Sequence, residues 1–452
     1  MPGLTRRSVL GVALGVQGVC AVVLGGNAHP DEVHQYLEPA HRLAFGYGNR
    51  AHEWYAGMRN LAAPGAIAGL WRAVAALGVD RPGWLLGVVW AAVALGSLGA
   101  LGLVHGVVAR RRPGGPEAVF ATLLLAVWVP WQDMAFRTLG ETLSVTALVV
   151  ALGLRDRGRY AGAGFAAGAA FVLRYPAGLF VLPFCVDALR ARSRRDTVGF
   201  FLGLGAALGG LGALDAMTWG AAFHSVRAYA EYNLVRGQAA ATFGTQPWWW
   251  YGAALPLVVP AGLLGAVGRP RWRDAGLPGA LSLVYLVGMS LVAHKEPRFA
   301  VAAAPFALVA AVLLRPAWSP RRRAAVLALT VVQSAVTFGA LAYRDRRGAG
   351  VQRATWGLHA APDLAALWVM NRTHPGLSAL HRDVPLRADP RGRLAPTLRA
   401  LDAEAGVGRA SGGRVYALCD AYGDAPEGCV EALRGRGFVL VGRRGAVTVW
   451  AR

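Results

Sequence analysis

An acidic, histidine-rich stretch near the N-terminus carries the first side chains suited to catalysis. It reads "NAHPDEVHQYLEPAHRLAFGYG" from Asn27, and it holds the adjacent acids Asp31 and Glu32 in a chain of 452 residues with only 25 acidic ones. A carboxylate beside apolar groups can act as general base on a hydroxyl. Asp31 and Glu32 are therefore candidates for a catalytic base, and the neighbouring His29 and Gln35 are candidates to bind substrate.

Two other interpretations of this stretch stay open. The spacing of Val33 and Leu37 predicts a short amphipathic surface helix with Glu38 on another face, and acids in its first turn would also complement the helix dipole. His34, Glu38 and His41 would share a helical face, which is compatible with a metal, although the spacing matches no zinc motif. We expect no cofactor and no metal.

A second candidate is the stretch "AHKEPRF", which contains Lys295, the single lysine among 47 basic residues. His294, Lys295 and Arg298 offer positive donors suited to a phosphate, and Glu296 is able to hold one of them in place. Arg174, at the predicted tip of a hairpin, adds another cation. The alternative is a solvated turn whose basic side chains snorkel towards water.

A third candidate is the loop "MTWGAAFHSVRAYAEYNLVRGQAAATFGTQPWWWYG", which begins at Met217. Its polar and aromatic residues Tyr229, Asn233, Gln246 and Trp250 are predicted to line a groove for a sugar or a lipid. The tryptophans are also typical of an aromatic belt at a membrane interface, so the spacing does not decide between the two.

The elements that position these groups are membrane helices. Hydrophobic residues make up 55% of the chain and charged residues 16%, and the mean hydropathy is +0.39, which predicts an all-α multi-spanning protein of about 11 membrane helices. Although the formal charge is +22, the arginines collect between spans, so they indicate topology and not a nucleic-acid partner. The predicted spans are 9–26, 84–108, 117–135, 138–154, a hairpin within 161–189, 197–216, 249–267, 277–293, 299–314 and 324–342.

The arginine-rich links would lie on the cytoplasmic side together with the N-terminus, whose first span is expected to be retained rather than cleaved as a signal. The segments 27–83 and 217–247 then face outward. Residues 1–342 form the membrane body, and residues 343–452 form a small α/β domain outside. In that domain we predict a helix in "APDLAALWVMN" and strands in "RVYALC", "GFVLVG" and "AVTVWA". Cys419 and Cys429 can pair if this domain meets an oxidising compartment.

Several blocks together resemble glycosyltransferase family 22, the membrane mannosyltransferases that use polyprenyl- or dolichyl-phosphate sugars and act in GPI-anchor and N-glycan assembly. The resemblance covers about residues 28–310, and the tail is only loosely similar. At His52, Gln246, Trp249 and Pro297 the chain departs from the family pattern. The blocks are "HPDEVHQYLEPAHRLAFGYG", "HEWYAGMRN", "FRTLGETLS", "AGAAFVLRYPAG", "EYNLVRGQAAATFGTQPWWWYG" and "HKEPRF".

The resemblance implies a GT-C fold with an active site in the outer loops. A chain rich in alanine, glycine and arginine with one lysine suggests a GC-rich bacterial genome, so the membrane is expected to be a bacterial inner (plasma) membrane. It implies Asp31 as base beside Glu32, and a donor phosphate facing His294, Lys295 and Arg298. The block "HEWYAGMRN" adds Glu53 as a substrate-binding candidate.

The expected activity is an inverting transfer of mannose or a related sugar. The donor would be polyprenyl-phosphate-linked and the acceptor a glycan or glycolipid hydroxyl. The rival prediction is a transporter or flippase for an anionic lipid-linked solute, and a donor-binding protein without catalysis is a third possibility.

Overall fold

The computed structural model describes residues 4–25, 29–260, 262–263, 272–315, 318–370, 375–388, 394–410, 412–420, 426, 428–444 and 446–452. The fold is predominantly helical with one small sheet, as the sequence predicts. Within the described residues, five helices are long and apolar enough to cross a membrane. The number of spans stays a prediction. The five are Arg6–Leu24, Pro82–Arg111, Arg194–Trp219, Asp274–Leu291 and Pro320–Tyr343.

Contacts divide the chain into two compact units. The first unit comprises Met1–Ala21, His52–Ala63 and Trp90–Phe338 and has one extensive apolar core. Its helices, including those that continue beyond its limits, are Arg6–Leu24, His52–Tyr55, Pro82–Arg111, Glu117–Val127, Val129–Met134, Gly140–Arg155, Tyr160–Leu173, Gly178–Leu189, Arg194–Trp219, His224–Ala230, Glu231–Val235, Gln238–Phe243, Trp250–Val258, Trp272–Leu291, Pro297–Val301, Ala304–Leu314 and Pro320–Leu358.

The predicted hairpin within 161–189 is confirmed. Helices Tyr160–Leu173 and Gly178–Leu189 are joined by a short 3-10 turn, with Arg174 directly before it. Glycines bring the first of these helices close to a neighbour, since a Cβ on Gly164 would lie 1.9 Å from the carbonyl oxygen of Phe200. Such close backbone approach is typical of packing between membrane helices, and here it fixes the helix that ends at Arg174.

Two of the predicted spans are not continuous helices. The stretch 117–135 is broken at Trp128, whose backbone is extended, because Pro130 cannot continue the preceding helix. The stretch 299–314 likewise consists of a short helix and Ala304–Leu314, with Pro305 near the start of the second. Part of the predicted span 249–267 lies outside the described residues. The helix that begins at Pro320 extends to Leu358, beyond the predicted limit of the body at 342.

The second unit comprises Val22–Ala51, Pro64–Val89 and Gly339–Arg452, so two early segments pack with the tail. Its sheet has the order β2-β1-β3-β5-β4, in which β1 is parallel to β2 and β3, whereas β5 is antiparallel to β3 and β4. Its shorter helices are Glu32–Leu37, Glu38–Phe45, Ala62–Ala75, Leu377–Leu380, Leu394–Ala410 and Cys429–Gly435, and its strands are β1 Leu364–Val369, β2 Leu386–Ala388, β3 Arg414–Asp420, β4 Val439–Arg444 and β5 Val447–Ala451.

The three predicted strands of the tail are confirmed as β3, β4 and β5. The helix predicted in "APDLAALWVMN" is wrong, because this segment forms β1. The strand lies between two parallel neighbours and is almost entirely buried. Its side chains are apolar on both faces because each face packs into a separate apolar core, with Leu367 in one and Trp368 in the other. Such a run does not alternate in the way a half-exposed strand does. A disulfide joins Cys419, in β3, to Cys429 at the start of a helix.

Candidate active site

A buried carboxylate holds together two of the predicted phosphate-binding arginines in the first unit. One oxygen of Glu141, Oε1, lies 3.1 Å from Nη2 of Arg174 and 3.6 Å from Nε of Arg298. The Glu141 side chain is 1% exposed and that of Arg174 9%. Arg174 and Arg298 lie 33 and 157 positions after Glu141 in the sequence, and both pair with its carboxylate.

Short elements position these three side chains. Glu141 lies in the first turn of Gly140–Arg155, where the helix dipole favours a negative charge. Arg174 precedes the 3-10 turn of the hairpin, and Arg298 lies in the short helix that begins at Pro297. The ring of Phe299 contacts both guanidinium groups, with centroid distances of 4.9 Å to Arg174 and 5.0 Å to Arg298.

Glu296 holds Arg298 in place, as the sequence suggested for one of the basic residues. Its carboxylate accepts hydrogen bonds from Nε of Arg298 at 2.7 Å and from Nη2 at 3.1 Å. His294 Nε2 lies 3.1 Å from the same carboxylate. Arg298 is therefore oriented by Glu296 and pairs with Arg174 across Glu141.

The side chain of Lys295 mainly donates hydrogen bonds to backbone carbonyl oxygens. Its side chain is 6% exposed, and Nζ donates to the carbonyl oxygens of Val292 and Gln246, the second at 3.0 Å. The N–H of Gln246 donates to Ala293 O at 2.9 Å. Burial lowers the pKa of Lys295. Because an ammonium has three donors, one N–H is left after these two bonds, and its contact with a phosphate stays a prediction.

His294 and Trp250 add further contacts around this turn. His294 Nδ1 lies 3.2 Å from the carbonyl oxygen of Gly244. Trp250 packs edge-on against Tyr251 at a centroid distance of 5.1 Å, and Tyr251 donates through its hydroxyl to Glu296 O at 3.3 Å. The loop that begins at Met217 is thus held to the "HKEPRF" turn by side chains from both segments.

Glu53 and Tyr229 are joined through Arg59. Arg59 donates two hydrogen bonds of 3.0 Å to Glu53, and its guanidinium carbon lies 5.7 Å from the Tyr229 ring centroid. Tyr175 contacts the same ring edge-on at 5.2 Å. Asn233 donates to Tyr229 O at 2.9 Å. Burial raises the pKa of Tyr229, so its phenol remains a hydrogen-bond donor near neutral pH.

The acids of the N-terminal histidine-rich stretch lie in the second unit. Asp31 is half-buried directly before the helix Glu32–Leu37, and its N–H donates to Nδ1 of His29 at 3.1 Å. Glu32 is 0% exposed and Gln35 6%. This helix has π geometry, which is rare and occurs often at functional sites. Of the two predicted catalytic acids, Asp31 is the more accessible.

The polar face of this helical stretch is buried, contrary to the surface helix that we predicted. Glu38 is 0% exposed and accepts hydrogen bonds from the backbone N–H groups of Asn49 at 2.7 Å and Ser378 at 2.6 Å. His41 is also buried, between Tyr47 O at 2.9 Å and His381 Nδ1 at 2.8 Å. The polar groups are buried because the tail supplies their hydrogen-bond partners. Among the residues described, no group of three or more His, Cys, Asp or Glu side chains is arranged to hold a metal ion.

The sequence prediction missed two residues of the arrangement in the first unit. Glu141 lies in the quoted block "FRTLGETLS", and Arg59 lies in "HEWYAGMRN". The signal for Glu141 was an acid in an apolar stretch predicted to span the membrane, where a charge is costly unless it is paired. For Arg59 the sequence holds no comparable signal, because its pairing with Glu53 depends on a turn between them.

This fold defines a multi-pass membrane protein with the GT-C architecture. It matches the crystal structure of ArnT from Cupriavidus metallidurans bound to undecaprenyl phosphate with a TM-score of 0.62, covering 98% of this chain and 97% of that chain at 16% identity. The apo structure of the same protein matches with a TM-score of 0.56 over the same shares, at 15% identity.

The chain belongs to the Alg9-like mannosyltransferase family, whose model matches residues 12–347. An alignment of 318 positions with GPI mannosyltransferase 3 of Drosophila melanogaster has 29% identity and covers 67% of this chain and 55% of that protein. An alignment of 376 positions with GPI mannosyltransferase 3 of Yarrowia lipolytica has 27% identity and covers 79% of this chain and 72% of that one. The chain thus spans little more than half the length of the Drosophila relative.

Proposed function

We propose that this protein transfers mannose, with inversion, from a polyprenyl-phosphate-linked donor to a hydroxyl of a glycan or glycolipid acceptor on the outer face of the membrane. Membership of a mannosyltransferase family supports the sugar and the reaction class. The structural neighbour bound to undecaprenyl phosphate supports a lipid-phosphate donor. The acceptor class follows from the chemistry of glycosyl transfer and from the relatives named as GPI mannosyltransferases.

The observation that carries the proposal is the pairing of Arg174 and Arg298 across Glu141. Two guanidinium groups that approach one carboxylate are also suited to the oxygens of a phosphate, which they bind through paired N–H groups. The leaving group of the reaction is such a phosphate. Positive charge held in place before the reaction stabilises the negative charge that develops as the bond to the sugar breaks.

In the proposed step the acceptor hydroxyl oxygen attacks the anomeric carbon of the sugar. Asp31 takes the hydroxyl proton, the new C–O bond forms, and the bond from the anomeric carbon to the phosphate oxygen breaks with its electron pair on that oxygen. The products are a glycoside and polyprenyl phosphate. The partial exposure of Asp31, in contrast to the fully buried Glu32, supports Asp31 as the base.

Polar groups elsewhere in the first unit are proposed to bind the sugar. The phenol of Tyr229 is a protonated donor, and Glu53 is oriented by two hydrogen bonds from Arg59. Such fixed groups hold a sugar with little loss of side-chain entropy on binding. The indole of Trp250 offers an apolar face to the same class of ligand.

The test is transfer of label from polyprenyl-phosphate [³H]mannose by the purified full-length protein in lipid nanodiscs, with the labelled product identified. Asp31→Asn should lower the rate about 100- to 10,000-fold, the range for loss of a general base. Asp80→Asn, a matched change at an exposed aspartate of the same unit, should leave it unchanged. Wild-type protein that never transfers mannose to any added glycan or glycolipid would overturn the proposal, and an active Asp31→Asn variant would overturn the assignment of the base.

A further inference from the structure

The feature that the proposed chemistry leaves unexplained is the negative charge of Glu141 inside a site meant for an anion. A carboxylate there opposes phosphate binding. Yet Glu141 is 1% exposed and lies between Arg174 and Arg298, and taking a charge out of water is costly unless it is compensated. Such a residue is expected to be retained for a function or for specificity.

The contacts of Glu141 are ionic rather than tightly hydrogen-bonded. Neither of its carboxylate oxygens accepts a hydrogen bond of good geometry from the residues that the structure describes, and Nε of Arg174 has no such partner there either. By contrast, Arg298 is held by two well-formed hydrogen bonds to Glu296. The two arginines are therefore held differently, and the contact of Arg174 with Glu141 is the one more easily exchanged for another anion.

The charges of the cluster are balanced. Arg174 and Arg298 contribute two positive charges, and Glu141 and Glu296 contribute two negative ones. Without Glu141, two guanidinium groups would face a bound phosphate with only one carboxylate beside them. An anion would then bind more tightly, and the lipid phosphate left after transfer would leave more slowly.

We propose that Glu141 is a positioning residue that holds Arg174 and Arg298 as a pair and, by its charge, limits how tightly they retain the phosphate of the lipid product. The inference rests on the proposed function, because the anion concerned is the polyprenyl phosphate released in that reaction. On binding, Arg174 exchanges Glu141 for a phosphate oxygen. On release the guanidinium returns to the carboxylate, so the site is restored for the next donor.

The test is inhibition of mannose transfer by added polyprenyl phosphate. Glu141→Gln preserves the size of the side chain and removes its charge, and we expect the inhibition constant to fall on the order of tenfold. Turnover should fall with it, because release of product becomes slower. Arg174→Gln should shift the inhibition constant in the opposite direction. A purely structural role would lower the amount of folded protein and would not tighten binding of an anion.

The matched control is Glu231→Gln, which removes a carboxylate from an exposed pair with Arg236 in the same unit, where the two side chains are 48% and 64% exposed. It should leave inhibition unchanged. A folded Glu141→Gln variant with unchanged or weaker inhibition, beside an active and inhibitable wild type, would overturn this inference alone. Wild-type protein without mannose transfer would instead overturn the proposed function.

A second variant keeps the inference testable if Glu141→Gln does not fold. Glu141→Asp retains the charge but shortens the side chain, so it no longer reaches both guanidinium groups. We expect inhibition by polyprenyl phosphate within about twofold of wild type, because the net charge is the same, and a lower turnover, because the arginine pair is misplaced. Wild-type turnover in this variant would contradict the positioning role.

Discussion

Glu38 accepts a hydrogen bond of 2.6 Å from the backbone N–H of Ser378, although the two residues are 340 positions apart in the sequence. The other oxygen of the carboxylate accepts from Asn49 at 2.7 Å. The packing at Gly376 is equally close, since a Cβ there would lie 2.4 Å from Glu38 Oε1. One buried acid thus ties the tail of the chain to the helical stretch that follows Asp31.

Glu38→Gln should loosen this connection. An amide retains one acceptor oxygen but directs an NH₂ group at one of the two backbone donors, and a buried donor left unpaired costs about 1–3 kcal/mol. We expect faster hydrogen exchange at Ser378 and faster proteolysis after residue 375. Glu431→Gln, at an exposed position of the same unit, is the control. Equal exchange rates in the two variants would contradict the role of Glu38.

Acidification should weaken the same region through His41. Burial, and to a smaller extent the charge of His381, lowers the pKa of His41 from 6.5 to about 4, although the hydrogen bond to Tyr47 O acts in the opposite direction. Between these values the opened state binds a proton and the folded state does not. Stability is therefore complete above pH 6.5 and is lost as the pH falls towards 4, by about 3 kcal/mol in total.

The measurement is the free energy of local opening from hydrogen exchange between pH 7 and pH 4.5, followed at Tyr47 and His381. His41→Gln keeps a donor and an acceptor but does not titrate, so it should remove most of the slope. A pH dependence that is unchanged in His41→Gln would show that another group is responsible.

Lys295→Arg should weaken the attachment of the loop that begins at Met217. The ammonium donates to two backbone carbonyls in a buried position, and a longer, planar guanidinium cannot reproduce both bonds there. We expect about tenfold lower kcat/KM for the lipid-phosphate donor, a cost of about 1.4 kcal/mol, together with faster hydrogen exchange at Gln246. Arg236→Lys, in an exposed pair of the same loop, should change neither. Unchanged donor kinetics in Lys295→Arg would argue against both a positioning and a phosphate-binding role.

Loss of the disulfide should destabilise the tail. Cys419 and Cys429 are 10 residues apart in the sequence and both lie in the core of the sheet. Closing a loop of this size stabilises by about 2–3 kcal/mol in the chain-entropy description. Cys419→Ser with Cys429→Ser should therefore lower the thermal midpoint of the tail, followed by proteolysis at increasing temperature, whereas Cys185→Ser, at a free cysteine, should not. Equal midpoints would contradict a stabilising disulfide.

Much of the fold could be predicted from the sequence, because the hydropathy and residue types within a short segment indicate its secondary structure. A run of apolar residues the length of Arg194–Trp219 predicts a membrane helix by itself. The β-branched and aromatic residues of the strands β3 and β5, such as Val415, Tyr416 and Val449, likewise indicate strands within a few residues. The segment of β1 could not be assigned this way, because a short apolar run is equally typical of a buried helix, and only packing places its two faces in two apolar cores.

The candidate site was predictable to a similar degree. Arg174 and Arg298 were recognisable as cations near the ends of predicted spans, and Glu296 as a partner for one of them. Glu141 was not recognisable as their shared partner, because the two arginines lie 33 and 157 positions away. The residues around Glu141 carry no information about contacts at such a distance along the chain. Lys295 stands out in the sequence as the single lysine, whereas its bonds to the Gln246 and Val292 carbonyls depend on how the loop that begins at Met217 packs.

The sequence by itself thus determined the membrane-embedded helical body, the hairpin turn at Arg174 and the chemical types available near the ends of the helices. The tertiary structure alone decided that Glu141 stands between two arginines, that Glu38 and His41 are buried against the tail, and that β1 is a strand. Hydropathy and periodicity are properties of short runs of consecutive residues. Pairing of charges and burial of polar groups depend on segments far apart in sequence that only packing brings into contact.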